Sequence, residues 1–584
     1  MRIIRVDMTT ATIKEEEFRQ EDWWYYGGRG LIDAMITDKE LDPNCDPLGP
    51  DNILSFANGL FAGTMMTSSG RLSVSAKSPL TGGIKESNAG GTFGRWMCEQ
   101  QIKMISFYGQ PADGKKYYLY VDPEGNLSLE DASWLSMKLT YETSELLRNK
   151  YNDDIALACI GPAGERQALV SAIMCSEYRS HFMCRAAARG GLGAVMGSKG
   201  IKAIVIDKAK NPYKPAIPAE TEEEFREACR TVAKAVTSNP MTGGLQRKCG
   251  SAAGVGATGA LGALPTNNFS GKRVDFSRLA PDAWMAALVG QGGHGTIPCQ
   301  PGCVCCCSNE FHDKDGNYLS AGIEYETLVF MGCNLGIWSP NFVAAGDRFC
   351  DDYGIDTIDI GCGIAVAMDE GVLPFGDEEA AMKMLRSVMD PDDYYGKVLI
   401  NGCQAMGEFL HAKRIPTGKR QALAAYDPRV LVGFGMTFER SPMGADHTSA
   451  MALLNRKDLI PEDQVDLNQA NSACCDDFDI CLFCWGSIAF DPTARAAIAR
   501  AAGAFLGKSG VGPELIEEIG RKILYIEHKF NQRAGFTMAD DKIGDFFYTE
   551  PAEASGKPYT SPLKRSFLEI ADERAAAAAA AAEQ

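Results

Sequence analysis

Five cysteines fall within nine residues, at Cys299, Cys303, Cys305, Cys306 and Cys307, and a second group follows far downstream at Cys474, Cys475, Cys481 and Cys484. Soft thiolates in such numbers select zinc, copper(I) or an iron-sulfur cluster, and three close thiols with a distant fourth are a usual way to hold a four-iron cluster. Cys299-x3-Cys303-x3-Cys307 forms an evenly spaced comb, and Pro301 and Gly302 supply the bends that turn its sulfurs toward one point. Two other readings stand beside this one. The thiols could be an inert buried patch or disulfides, or the pairs Cys303-x2-Cys306 and Cys481-x2-Cys484 could form a zinc knuckle.

The remaining composition is that of a large enzyme rather than a disordered chain: 584 residues, 45% hydrophobic, 61 glycines and a net charge of −18. The first residues, MRIIRVDMTTATIKEEE, alternate apolar and polar like a strand and lack the apolar run of a signal peptide, so a cytoplasmic location is expected. No stretch approaches the ~20 apolar residues of a membrane span, and the acidic balance argues against nucleic acid as a partner. The Ala575 to Ala582 run is low in complexity and carries no function.

The predicted fold class is α+β. Strand-like segments separated by glycine turns (Ile3 to Val6, Leu72 to Ala76, Tyr117 to Val121, Ile201 to Ile206) place a β-rich base domain at residues 1–210. From Thr221 onward helical periods take over, as in Glu222 to Val236, Glu379 to Val388 and Glu514 to Phe530. Two mainly helical domains are expected, at 211–430 and 431–584, with the first boundary at the proline-rich Asn211 to Pro218.

Three glycine-rich stretches in the first half combine tiny side chains with polar donors: Ser69-Gly70-Arg71, Ser87 to Gly91, and Arg185 to Gly193. Glycine and alanine admit a phosphate or heterocycle closely, and Arg71, Asn88 and Arg185 can fork hydrogen bonds to it. None fits a Walker or dinucleotide fingerprint.

Taken in order, GGRGL (27–31), KSPLTGGIKESNAGG (77–91), IGPAGE (160–165), RGGLGAVMGSKGIKAI (189–204), the comb, EYET (324–327), DDYGID (351–356), SPMGADHT (441–448) and DDFDIC (476–481) resemble the aldehyde:ferredoxin oxidoreductase family over nearly the whole chain. The resemblance implies a tungsten or molybdenum centre on two pterin dithiolenes, buried between the β-rich base and the helical domains, with a four-iron cluster beside one pterin. It implies cluster ligands at Cys299, Cys303, Cys307 and Cys481. The commonest family comb has two residues between its first cysteines where this chain has three, which leaves Cys305 and Cys306 as alternatives to Cys303.

It further implies pterin contacts at Arg71, Asn88, Gly90, Arg185, Ala186 and Ala188, and two pterin clamps, one with Asp351, Ile355 and Asp356, the other with Asp476 and Ile480. A magnesium ion bridging the pterin phosphates is a further expectation. Asp479 stands where the second clamp expects glycine, and Asp is among the few residues that tolerate the left-handed region. Glu324, Glu326 and His447 are the expected proton-handling residues, since oxidising an aldehyde with oxygen from water releases protons near the metal. On a strand the two glutamates would share a face and on a helix they would diverge; Glu324 is favoured.

The implied reaction is aldehyde oxidation, with electrons passing through the cluster to ferredoxin or an iron-sulfur partner subunit. A catalytic subunit of a larger complex acting on another substrate, a non-catalytic electron-transfer subunit and a structural zinc protein are the alternatives. In some relatives an E-x-x-H element before the first clamp binds an iron shared between two subunits. Ala345 to Arg348 lacks it, and Glu408 and His411 supply it at a different place, so this iron is no evidence for a homodimer, which stays open.

Overall fold

The computed structural model describes residues 1–450 and 458–582. The first part is built from two six-stranded sheets. One runs β2 (Thr12–Glu17), β1 (Arg2–Asp7), β6 (Ile102–Tyr108), β3 (Leu54–Ala57), β4 (Leu72–Lys77), β5 (Ile84–Ala89). The other runs β11 (Arg185–Ala187), β10 (Ile173–Cys175), β9 (Ala156–Cys159), β12 (Ile201–Ile206), β7 (Tyr117–Val121), β8 (Leu127–Asp131). Alternation along the strands explains how they stack. Leu72, Val74 and Ala76 of β4 and Ile204 and Ile206 of β12 enter one shared apolar core, each large side chain contributing about 1.5–3 kcal/mol on burial. The opposite face of β4 carries Ser73 and Ser75, and with Asn88 of β5 it is turned toward the helices that follow.

The later residues are mainly helical. Among them are Glu222–Ser238, Pro340–Tyr353, Thr357–Asp369, Pro461–Asp477, Leu482–Ala489 and Glu514–Arg533. A large core centred on Phe330, Val343, Ile360 and Leu385 holds the middle of the chain, and a second, with Phe225, Ile498 and Ile519, holds the last helices. A small antiparallel sheet interrupts the helices: β13 (His294–Ile297), β14 (Ser308–His312) and β15 (Tyr318–Ala321). The cysteine comb is the loop between β13 and β14. Among the described residues no single helix is long and apolar enough to cross a membrane.

Candidate active site

Two helix ends meet the base sheets through the same turn, used twice. After Pro340–Tyr353, Gly354 takes φ +76°, the Ile355 amide donates to the Cys350 carbonyl (3.0 Å), and Asp356 caps the next helix by accepting from the Ile358 amide. After Pro461–Asp477, Asp479 takes φ +51°, the Ile480 amide donates to the Cys475 carbonyl (3.1 Å), and Cys481 precedes the helix Leu482–Ala489. Each turn is tied back to the base: the Asp356 amide donates to Val170 (2.9 Å) and the Cys481 amide to Ser68 (2.9 Å). The approach depends on two glycines. A Cβ on Gly161 would sit 2.2 Å from the Tyr353 carbonyl oxygen, and one on Gly59 would sit 2.3 Å from that of Phe478.

In the second turn Asp479 accepts from Ser73 (3.0 Å) and from Asn88 (2.6 Å). Asn88 in turn accepts from Arg71, which also donates to the Asn88 carbonyl (3.0 Å). Burial pushes the Asp479 carboxyl up to about 7 and Asp476 up to about 6, the latter opposed by the Arg29 guanidinium at 3.0 Å. Arg29 is buried between Asp476 and Glu527. In the first turn Asp356 meets Arg189 at 3.2 Å, and Asp351 is buried with one carboxylate oxygen lacking a hydrogen-bond partner among the described residues. Burial raises the Asp351 carboxyl well above its ordinary value.

Of the pterin contacts expected from the sequence, Arg71, Asn88, Gly90 and Arg185 lie together. A Cβ on Gly90 would lie 3.5 Å from Arg71, 3.6 Å from Arg185 and 3.7 Å from the Cys299 sulfur. Arg185 is buried against Glu177 (2.6 Å), Ser308 and Glu324 (3.3 Å), and its Nε has no hydrogen-bond partner among the described residues. Ala186 and Ala188, on either side of the buried Ala187, are half-buried.

The comb and the downstream Cys481 and Cys484 gather beside this group, all as free thiols. Cys299 interacts with Cys303, and Cys481 with Cys484; these neighbours and burial hold both thiols well above the ordinary value. Cys305, Cys307 and Cys484 adjoin them. Arg71 faces Cys481 and Cys299, and their attraction outweighs the burial that opposes its charge. Buried sulfurs this crowded cannot all ionise unless a cation compensates them, so the donor set suits a cationic iron-sulfur cluster. Among the described residues no three His, Cys, Asp or Glu side chains close on a single ion.

The glutamates part company. Glu324 directly precedes the helix Tyr325–Phe330, where it accepts from Ser251 (2.6 Å) and Arg185. Glu326, one step into the helix, is buried, accepts from the Ala425 amide (2.8 Å), and places Oε1 3.6 Å from Nε2 of His447. The sequence favours Glu324, but the helical rather than extended backbone makes Glu326 the partner of His447. Burial raises Glu326 to about 8, against the pull of the Ala425 amide. Burial, with Arg189 and Lys85, lowers His447 to about 4, against the pull of Asp446. At neutral pH both groups are uncharged. Glu326 Oε1 and His447 Nδ1 have no hydrogen-bond partner among the described residues. The adjoining Asp446 is locked to Lys85 at 2.6 Å and lies 3.8 Å from Arg189.

Arg29, Lys85, Glu177 and Arg189 are the structural members of the site that the sequence reading leaves out. The first two and Arg189 lie inside quoted motifs, whereas nothing marks Glu177. Away from the site, Glu408 is exposed beside Gln404 and Arg420, and His411 ends its helix in a left-handed turn.

Residues 3–208 match the family model for aldehyde ferredoxin oxidoreductase, N-terminal domain, and residues 227–573 that for aldehyde ferredoxin oxidoreductase, domains 2 & 3. The chain is 30% identical to the tungsten-containing aldehyde ferredoxin oxidoreductase of Pyrococcus abyssi (strain GE5 / Orsay), over 96% of this chain and 94% of that protein. It is 26% identical to the aliphatic sulfonate oxidoreductase, WOR-like subunit, of Pyrococcus furiosus, over 77% of this chain and 75% of the other. In fold it is similar to the active site complex BamBC of benzoyl coenzyme A reductase in complex with 1,5-dienoyl-CoA. That likeness has a TM-score of 0.74 at 19% identity and covers 98% of this chain and 92% of that one.

Proposed function

The chain belongs to the aldehyde ferredoxin oxidoreductase family, and from that premise we propose that it oxidises aldehydes to carboxylic acids, its electrons leaving through a four-iron cluster to ferredoxin or an iron-sulfur partner protein. Family membership implies a tungsten pterin cofactor. When bound, the tungsten bis-pterin group and the cluster supply the two-electron chemistry and its division into single electrons. Written in balance, aldehyde and water give acid, two protons and two electrons, the electrons going to two one-electron acceptors.

The residues divide this work. Cys299, Cys303, Cys307 and Cys481 would hold the cluster. Arg71, Asn88, Gly90, Arg185, Ala186 and Ala188 would hold the pterins from the base side, and Asp351, Ile355, Asp356, Asp476 and Ile480 from the two turns. Arg71, facing both Cys299 and Cys481, would donate to cluster sulfur. His447, neutral above about 4, can take a proton from water, and Glu326, protonated below about 8, can relay one. Glu324 takes a different part: its contact with Arg185 orients that guanidinium.

The carrying observation is the Glu326–His447 contact, a buried carboxyl 3.6 Å from a half-buried imidazole, with Glu326 Oε1 and His447 Nδ1 lacking a hydrogen-bond partner among the described residues. The test is anaerobic purification with counts of tungsten, molybdenum and iron, followed by aldehyde-dependent reduction of a viologen dye. About four irons, one tungsten and turnover with aldehydes support the reading. Full metal content with no aldehyde turnover overturns the substrate assignment, and iron-free protein overturns the cofactor assignment.

A further inference from the structure

The chain carries a net charge of −18, yet residues 228–250 hold Arg230, Lys234, Arg247 and Lys248 and no Asp or Glu, while 295–308 and 480–490 hold no Asp, Glu, Lys or Arg at all. These three segments meet over the cysteine comb. Thr242 Oγ1 lies 2.8 Å from Ser487 Oγ, the Cys305 thiol lies 3.6 Å from the Thr242 carbonyl oxygen, and Arg247 donates to the Val304 carbonyl (3.0 Å). Their outer side exposes large apolar groups, Met241 at 45%, Leu245 at 41% and Phe490 at 44%. Cys303 and Val304 reach the surface beside them, and Lys234, Arg247 and Lys248 are exposed. Asp491, next to Phe490, is half-buried and its carboxylate is engaged in capping the following helix, accepting from the Thr493 amide (2.8 Å).

An apolar centre depleted of charge, with a rim in which exposed Lys234, Arg247 and Lys248 outnumber Glu227 and Asp491, is the composition of a protein-docking surface. We propose that this face docks a small acidic electron-transfer protein, bringing its redox centre to the surface-reaching Cys303 end of the comb. The rim selects the partner's charge, because like-signed surfaces repel and the rest of this chain is acidic. The proposal rests on the reading that electrons leave through the comb.

The test uses a small acidic four-iron ferredoxin as acceptor, with Lys234→Glu/Lys248→Glu and Leu245→Ser/Phe490→Ser variants of the holoenzyme, each checked for iron content. Arg247 is left intact because it holds the Val304 carbonyl. The charge-reversed variant is expected to lose about tenfold in kcat/KM for ferredoxin and most of its salt dependence, the scale of electrostatic steering. Viologen turnover should stay at the wild-type value. The apolar variant should raise KM while keeping the salt dependence. Wild-type ferredoxin kinetics in both iron-replete variants would overturn the proposal. If wild type shows no aldehyde turnover even with viologen, calorimetric titration with the same ferredoxin decides instead: weaker binding by the charge-reversed variant supports the surface, and equal or absent binding in all forms overturns it.

Discussion

Asp479 occupies in the second turn the left-handed position that Gly354 occupies in the first, at φ +51° against +76°. Its carboxylate repays the conformational cost by accepting from Ser73 and Asn88, so a departure from the glycine motif becomes part of the floor beneath Arg71. Asp479→Ala keeps the strained backbone and loses both hydrogen bonds to Oδ1; it should cost about 1–3 kcal/mol. Asp479→Gly should cost less, because the strain is relieved. Thermal melts of the two variants check the order, and equal Tm values would refute the account.

Cys481→Ser should lose the cluster, whereas Cys484→Ser and Cys306→Ser should keep it, because the Cys481 amide is tied to Ser68 and its thiol faces Arg71. Iron per chain and the visible absorption of the three proteins decide. Unchanged iron in Cys481→Ser would remove it from the ligand set.

Gly59→Ala and Gly161→Ala should each destabilise by about 1–3 kcal/mol and loosen cofactor retention, since the added carbon meets a main-chain oxygen that no rotamer change can move. Denaturant titration combined with tungsten analysis measures both effects.

The Glu326–His447 pair predicts two pH dependences. For turnover, the uncharged pair exists between about 4 and 8, so rates should fall on the alkaline side near 8, and Glu326→Gln should remove that limb while lowering kcat about a hundredfold. For stability, the Glu326 pKa is raised from 4.5 to about 8, so the unfolded chain binds fewer protons across that range. The stability this group contributes is full below 4.5 and is lost as pH rises toward about 8. Glu326→Gln should therefore raise Tm relative to wild type more at pH 8 than at pH 5. A constant difference would contradict the assignment.

The family resemblance singled out DDYGID and DDFDIC, and the tolerance of Asp for the left-handed region allowed Asp479 to stand for glycine, while the strands at Tyr117–Val121 and Ile201–Ile206 were legible from their apolar runs. The buried ion pairs were not. Arg29 and Asp476 lie 447 positions apart, and a charged residue in sequence looks the same whether its partner is water or a distant carboxylate. The roles of Glu324 and Glu326 turned on whether one short segment was helix or strand, and six residues carry too little periodicity to say. Arg189 lay inside a glycine-rich stretch and received no role of its own from the sequence, yet it links Asp356 to the His447 loop.

The doubled turn is a near-symmetric device with unlike ends. Where the first closes with Asp356, joined through Arg189 to Asp446 beside His447, the second closes with Cys481, joined to Arg71 and the comb. On the proposed reading, the flank of Arg189, Asp446 and His447 would handle protons and the flank of Arg71 and the comb would handle electrons. A substrate bound between the two turns would then release its protons toward Asp446 and His447 and its electrons toward Arg71 and the cysteines, two ends of one repeated turn put to separate uses.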